Sequence, residues 1–158
     1  MEWYGLVLGA AGGLLGTLVM TAIEIVPWRK WGLHGVFEWH ENQMIIAKSL
    51  RLVNGETTTT RLHYIGIFGL HLTNGLLGGI GFYFVTIFID YYWGILPLPV
   101  LGILYSFFLW IVTLIPIHKP ITGLHPWNHP LGHWPAIASL LGHFAYGLVL
   151  SLFFLRFM

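Results

Sequence analysis

The sequence predicts an all-α integral membrane protein, a four-helix bundle with one additional interfacial amphipathic helix between helices one and two. Of its 158 residues, 56% are hydrophobic and only 8% are charged, whereas a soluble domain carries about a quarter charged residues. The mean hydropathy is +0.75. Four long apolar stretches each approach the roughly 20 residues that a helix needs to cross the hydrocarbon core. These observations exclude a water-soluble globule and predict a single membrane domain over residues 1–158.

The first two elements differ sharply in composition. Helix one, predicted over residues 3–27, is rich in glycine, and small residues let neighbouring backbones approach closely in lipid. The segment 28–53 mixes tryptophan with charged residues and histidine. It is too polar to span the membrane and too aromatic for a free loop, which favours an interfacial helix. A polar turn over 54–61 separates it from helix two.

Three further helices complete the predicted bundle. Helix two is expected over residues 62–89 and helix three over 96–117. A histidine-rich, proline-rich loop follows over 118–134. Helix four is expected over 135–156, and Pro135 suits its first turn, where the missing N–H of proline costs nothing.

Basic residues predict the orientation. Six of the seven lysines and arginines fall in the first and third connections, and only Arg156 lies on the other side. The positive-inside rule then places both polar segments in the cytoplasm and both termini outside, in the cytoplasmic membrane. The net charge of +1 and the absence of a basic run exclude a nucleic-acid partner. The expected partners are the lipid bilayer and other membrane subunits.

Helices two and four share a short internal repeat. His71 and His143 are each followed at four and eight residues by a small residue, which places all three on one helical stripe. The small residues are Gly75, Gly79, Gly147 and Ser151. This pattern resembles small, uncharacterised four-helix integral membrane proteins of archaea and bacteria that carry a Gly-His-x-x-x-Gly element on helices two and four. The resemblance covers these two segments and implies the fold, with no activity attached.

The strongest candidate site combines Glu24, His71 and His143. An ionisable group inside a membrane helix is costly unless it is paired, so it is a functional candidate by default. Two imidazoles and one carboxylate at a similar depth suit a transition metal ion, and His71 and His143 alone suit the axial positions of haem b. Two alternatives stay open. Glu24 hydrogen-bonds one histidine and only holds helices together, or the three groups relay protons.

A second candidate metal site combines His34, Glu38 and Glu41. On one continuous helix these positions share a face, in the spacing of carboxylate-bridged metal sites. The alternative is an interfacial helix whose acidic face is solvated and balanced by Lys48 and Arg51.

The loop histidines form a third group. His125, His129 and His133 recur every four residues, but Pro126 and Pro130 disfavour helical conformation at the residues before them. The loop either wraps a metal ion with neutral imidazoles or lies among the lipid headgroups as an aromatic anchor or docking segment.

Three functions follow from these patterns. The first is a small accessory subunit of a larger, redox-linked membrane complex. The second is a metal- or haem-binding oxidoreductase or electron carrier that uses the intramembrane histidines and glutamate. The third and weakest is a proton or cation conduit through Glu24. Phosphate-binding loops, nucleophile elbows and dinucleotide fingerprints are absent from the sequence, so no catalytic residue, substrate or enzyme class is predicted.

Overall fold

The computed structural model describes residues 2–49, 61–94 and 96–157, and these residues form helices and turns without a strand. The predicted polar turn lies outside the described residues except for Arg61, as do residues 50–53 of the predicted interfacial segment. The helices that are long and apolar enough to cross a membrane are Trp3–Trp31, Tyr64–Trp93, Leu98–Thr122 and Trp134–Phe157. The prediction of an all-α chain with four such helices is confirmed.

The elements follow one another with short connections. The α-helices are α1 Glu2–Trp31, α2 Phe37–Ser49, α3 Arg61–Trp93, α4 Leu98–Val112, α5 Lys119–Thr122 and α6 Trp134–Phe157. A π-helical segment, Thr113–His118, joins α4 to α5. Two 3-10 turns, Leu33–Gly35 and Pro126–Asn128, precede α2 and α6.

Helix α1 continues past Pro27, where the sequence predicts its end. Pro27 lies inside the helix, which membrane helices tolerate because neighbouring groups satisfy the freed carbonyl. The helix ends instead at Gly32, whose positive φ of 66° only glycine adopts without strain. The first residues of the predicted interfacial segment, 28–31, therefore belong to α1.

The predicted third helix is also divided differently. It is α-helical to Val112, π-helical over the next turn, which contains Pro116, and α-helical again to Thr122. His118, expected in the loop over 118–134, is therefore helical and fully buried. The chain leaves α5 at Gly123, whose φ is 76°.

Glycine contacts bring the long helices together. Helix α1 packs along both α3 and α6, and α4 packs along α6. A Cβ atom on Gly13 would collide with the carbonyl oxygen of Gly75, and one on Gly79 would collide with that of Gly9. The small residues that follow His71 at four and eight positions thus lie where α1 and α3 touch backbone to backbone.

The two ends of the helices differ in their cores. At the end that carries the α3–α4 connection, which we term the apolar end, the core is formed by residues such as Leu8, Phe82, Leu150 and Phe154. At the opposite end, which we term the polar end, α2 packs on α3 and α6. Phe37 and Trp39 of α2 are each 1% exposed.

Candidate functional site

Glu24 and His71 are in contact, as the strongest predicted site requires. Glu24 is 1% exposed, and its Oε2 atom lies 3.2 Å from Nε2 of His71. The indole Nε1–H of Trp39 donates to the same oxygen at 2.8 Å. The other carboxyl oxygen, Oε1, is buried and has no hydrogen-bond partner among the described residues. Nε2 of His71 also has no hydrogen-bond partner among the described residues. Its contact with Glu24 therefore has the distance of an ion pair but not the geometry of a hydrogen bond.

His143 forms a second pair, with Glu38 of α2. Nδ1 of His143 lies 3.5 Å from Oε1 of Glu38 and 2.9 Å from the backbone oxygen of Ser139. The Ser139 hydroxyl donates to the same Glu38 oxygen. A carbonyl oxygen only accepts, so Nδ1 of His143 carries its hydrogen and, in a neutral ring, Nε2 offers a lone pair.

Glu41 and His118 form a third pair. Nδ1 of His118 lies 2.9 Å from Oε1 of Glu41. Burial, with a smaller contribution from the charge of Glu38, raises the pKa of Glu41 to about 9. Glu41 therefore holds its proton at neutral pH and donates it in a hydrogen bond to His118. Nε2 of His118 is buried without a partner among the described residues.

Glu38 joins α2 to α6. It precedes Glu41 by three residues on α2, and its Oε1 atom accepts the Ser139 hydroxyl and lies 3.5 Å from Nδ1 of His143 on α6. Three acids and three imidazoles from α1, α2, α3, α6 and the π-helical segment thus form three buried pairs at the polar end. Such carboxyl–imidazole contacts can pass a proton from one group to the next, because each partner both donates and accepts as its protonation changes.

The pairs adjoin a cavity of about 130 Å³. The cavity lies seven to fourteen residues from the polar end of the α3 span, which is about 10–20 Å along the axis at 1.5 Å per residue. Its lining residues come from α1, α2, α3, α4 with its π-helical extension, and α6. They are Thr17, Met20, Glu38, Glu41, Asn42, His71, Asn74, Gly75, Gly78, Leu109, Thr113, His143 and Tyr146.

Helices α3 and α4 both contribute to the lining of the cavity. Toward the apolar end the Tyr105 hydroxyl of α4 donates to the carbonyl oxygen of Gly78 on α3 at 2.7 Å. Nearer the polar end, Asn74 lines the cavity, is exposed, and makes no hydrogen bond to a described residue. Opposite it, Thr113 begins the π-helical turn, a feature that often marks functional sites.

The first predicted site is thus assembled differently from the expectation. Glu24 contacts His71, but His143 contacts Glu38. Among the residues that the structure describes, no three histidine, aspartate or glutamate side chains are placed to hold a metal ion. A cavity of about 150 Å³ holds a single benzene ring. Haem is far larger than benzene, so it does not fit in the cavity found here. The donor set and the space therefore fit neither a metal ion nor haem b.

The second predicted metal site does not form. His34 lies in the 3-10 turn before α2 and is exposed, with its ring 4.4 Å from that of His40. Glu38 and Glu41 are buried against other helices, so a solvated acidic face is wrong as well. The reason is local, since the chain leaves the helical conformation at Gly32 and His34 cannot share a helical face with the two acids. Arg51 lies outside the described residues.

The loop histidines also separate. His125 and His133 are exposed, and His129 is buried. Nδ1 of His129 accepts the backbone N–H of Leu131 at 3.2 Å. Burial lowers the pKa of His129 and lowers that of His40 to about 3, with neighbouring histidines as the second cause. Both rings are therefore neutral at pH 7. The Trp127 and Trp134 side chains are exposed, and the anchor or docking interpretation stays a prediction.

Three site residues were not predicted. Asn74 breaks an apolar run and follows His71 by three residues, a signal that was available in the sequence. Asn42 donates to the carbonyl oxygen of Ile67 at 3.2 Å and fastens α2 to α3. Ser139 carries no signal in the sequence, because its partner Glu38 lies 101 residues earlier.

Comparison with protein-family models, with curated proteins and with solved structures gives no match.

Proposed function

We propose that this chain is a multi-pass protein of the cytoplasmic membrane that carries an intramembrane acid–base site and serves as a small subunit of a larger, redox-linked membrane complex. The observation that supports the acid–base site is the set of three buried carboxyl–imidazole pairs beside one cavity. Redox reactions in membranes commonly need protons at a defined place, and these pairs can hold and release them.

The proposed arrangement is a four-helix bundle with α2 as an interfacial helix at its cytoplasmic side. Arg29, Lys30 and Lys119 are exposed at the polar end, which favours a cytoplasmic location for that end. Both termini then lie outside. The inner face of α2 supplies the buried acids, and the partly exposed residues 43–46 would meet the headgroup region.

The site exchanges protons with the polar end rather than conducting them across the membrane. Among the described residues, every buried acid and imidazole lies at the polar end. Toward the apolar end most of the core consists of side chains without ionisable groups, such as Phe82, Leu150 and Phe154, and the Tyr105 hydroxyl donates to a backbone carbonyl oxygen. This makes the conduit the weaker proposal, and reconstituted protein should give no proton flux above empty vesicles.

The acid–base site is tested by infrared spectroscopy of the protein in lipid nanodiscs between pH 5 and pH 9, a range above the ordinary pKa of a carboxyl group. The carbonyl stretch of protonated carboxyl groups should decrease as the pH rises. E41Q should remove part of that change, because burial raises the pKa of Glu41 to about 9. D90N is the matched control, since Asp90 is exposed at the apolar end. A spectrum of E41Q that matches the wild type would contradict the proposal.

Membership of a larger complex is tested separately. Large apolar faces of α3 and α4 are exposed, with residues such as Leu77, Phe84, Phe107 and Phe108 on the surface. These faces suit lipid and also the transmembrane helices of other subunits. Purification from native membranes in mild detergent should recover the chain with a complex that contains redox cofactors. Recovery only as a monodisperse free monomer would contradict this part of the proposal.

A further inference from the structure

We propose that a row of three histidines, His34, His40 and His118, carries protons between the surface of the polar end and the buried carboxyl group of Glu41. This inference rests on the proposed acid–base site and names the residues through which that site exchanges its protons. It is carried by the spacing of the three rings, by the hydrogen bond between the last ring and Glu41, and by two unpartnered ring nitrogen atoms.

The three rings lead from the surface to the interior. His34 is exposed in the 3-10 turn before α2, and its ring centroid lies 4.4 Å from that of His40. His40 is 4% exposed and His118 is 0% exposed, and their ring centroids lie 6.3 Å apart. Nδ1 of His118 lies 2.9 Å from Oε1 of Glu41. Exposure thus falls along the row, and the row ends at the acid.

The hydrogen bond to Glu41 determines which nitrogen of His118 carries a hydrogen. Glu41 is protonated at neutral pH because burial raises its pKa to about 9, so Glu41 donates and Nδ1 of His118 accepts. A neutral imidazole has one N–H group, which in His118 is therefore at Nε2. That atom is buried and has no hydrogen-bond partner among the described residues. His118 thus presents an unused donor.

His40 presents the complementary atom. Nδ1 of His40 is buried and also lacks a hydrogen-bond partner within the part of the chain that the structure describes. Burial and the neighbouring histidines lower the pKa of His40 to about 3, so its ring is neutral and accepts at Nδ1 when its hydrogen is on Nε2. At a ring separation of 6.3 Å, a bridging water molecule or a rotation of either ring joins Nε2–H of His118 to this acceptor.

The relay moves hydrogens without creating a charged buried ring. When Glu41 gives up its proton, Nδ1 of His118 takes it, and the hydrogen on Nε2 of His118 passes to Nδ1 of His40. The hydrogen on Nε2 of His40 passes to His34 and then to water at the surface. Each buried ring gains one hydrogen and loses one, so it stays neutral, as burial favours. Rotation of the rings restores the starting arrangement.

Two other titratable groups at this end lie beside the row. His129 is buried, and its ring centroid lies 5.6 Å from that of Phe37, which lies 4.2 Å from that of His118. Phe37 has no hydrogen to exchange, so its contacts pass no proton between the two histidines. Glu38 on α2 contacts His143 instead. His129 is therefore a matched buried histidine outside the proposed row.

The test is a light-triggered release of protons that lowers the pH through the pKa of Glu41, with the protein in lipid nanodiscs. Time-resolved infrared spectroscopy follows the carbonyl stretch of protonated Glu41, which is identified by its loss in E41Q. H40F should slow the protonation of Glu41 at least tenfold, because it removes both ring nitrogen atoms of the middle step. H129F is the matched control and should stay within twofold of the wild type. Thermal unfolding of each variant confirms that it is folded.

A second variant changes only an exposed side chain. H34A should also slow the protonation of Glu41, and free imidazole added to the buffer should restore the rate, because it replaces the missing ring at the surface. The equilibrium titration of Glu41 should keep its wild-type midpoint in H34A and H40F, since the hydrogen bond of Glu41 is to His118. A change in rate without a change in midpoint separates a relay from a structural role.

Several outcomes would overturn the inference. They are an unchanged rate in folded H40F, equal slowing in H129F, or a slowed H34A that imidazole does not restore. Unchanged rates with a normal equilibrium titration remove only the relay, whereas absence of the Glu41 titration removes the proposed acid–base site.

Discussion

The polar and apolar ends of the same helices bury different kinds of side chain. At the apolar end, residues such as Phe82 and Phe154 interlock, with ring centroids 5.2 Å apart. At the polar end, acids and imidazoles are buried instead. Atoms such as Oε1 of Glu24 and Nε2 of His118 remain there without a partner among the described residues.

This difference means that the polar end contributes less to the stability of the fold than the apolar end. A buried polar atom without a partner costs about 1–3 kcal/mol, and native structures contain few of them. Their concentration at one end of this protein, beside a cavity, indicates that the polar end is shaped by a requirement other than packing. The following experiments test that contrast.

The largest effect is expected from G79L, midway along α3 between the two ends. A Cβ atom on Gly79 would collide with the backbone of Gly9 and Gly13, which cannot move without separating α1 from α3. The variant should lose several kcal/mol of stability or fail to fold, measured as recovery of monodisperse protein and as the unfolding temperature. G69A is the control, because nothing lies within 4 Å of its added methyl group. Normal recovery of G79L would contradict the close contact.

At the polar end, acid should destabilise the protein through His40. Its pKa is about 3 in the folded protein, below the ordinary value near 6.5. The stability that neutral His40 contributes is therefore present above pH 6.5 and is lost as the pH falls toward 3. The expected loss of stability is on the order of a few kcal/mol, and it should be smaller in H40F than in the wild type. Unfolding temperatures measured from pH 7 to pH 4 test this. H125F, at an exposed position, should leave the loss unchanged. An unaltered profile in H40F would show that His40 is not buried as a neutral ring.

Alkaline pH should destabilise the same end through Glu41. The pKa of Glu41 is raised to about 9, so its contribution is fully present below its ordinary value near 4.5 and is lost as the pH rises through 9. E41Q keeps a donor for His118 and has no charge to bury, so it should be more stable than the wild type at pH 9 by about 1 kcal/mol or more. Unfolding temperatures measured from pH 6 to pH 9 test this, with D90N as the control. Equal slopes in E41Q and the wild type would contradict the assignment.

The smallest expected effect is the difference in free energy of unfolding between two variants of buried serines. S139A removes the hydroxyl that donates to Glu38 and should cost about 1–2 kcal/mol, because a charged or polar partner is left buried. S151A, at the apolar end, removes a hydroxyl that donates only within its own helix, to the carbonyl oxygen of Leu148. It should cost a few tenths of a kcal/mol. Chemical or thermal unfolding in detergent gives both values, and equal costs would remove the proposed difference between the ends.

The sequence also contained part of the site. An acid in an apolar helix must be paired, so Glu24 was identifiable, and the stripe after His71 predicted a helix contact that the structure places against α1. The His34–Glu38–Glu41 group was wrong because it assumed one continuous helix through Gly32 and Gly35. The helix ends at Pro27 and Ile117 were misplaced because membrane helices accommodate proline, and the chain continues helical past both positions.

The sequence by itself determined that this chain is helical, that four of its helices are apolar enough to span a membrane, and that its ionisable groups gather toward one end. These properties depend on composition and on spacing within a helix, which are local. Only the tertiary structure decided which imidazole or hydroxyl meets which acid, because contacts such as His118–Glu41 and Ser139–Glu38 join residues 77 and 101 positions apart and depend on how α2 lies against α3 and α6. The rotation of a helix about its axis is set by the side chains of its neighbours, and no pattern within the helix itself contains that information.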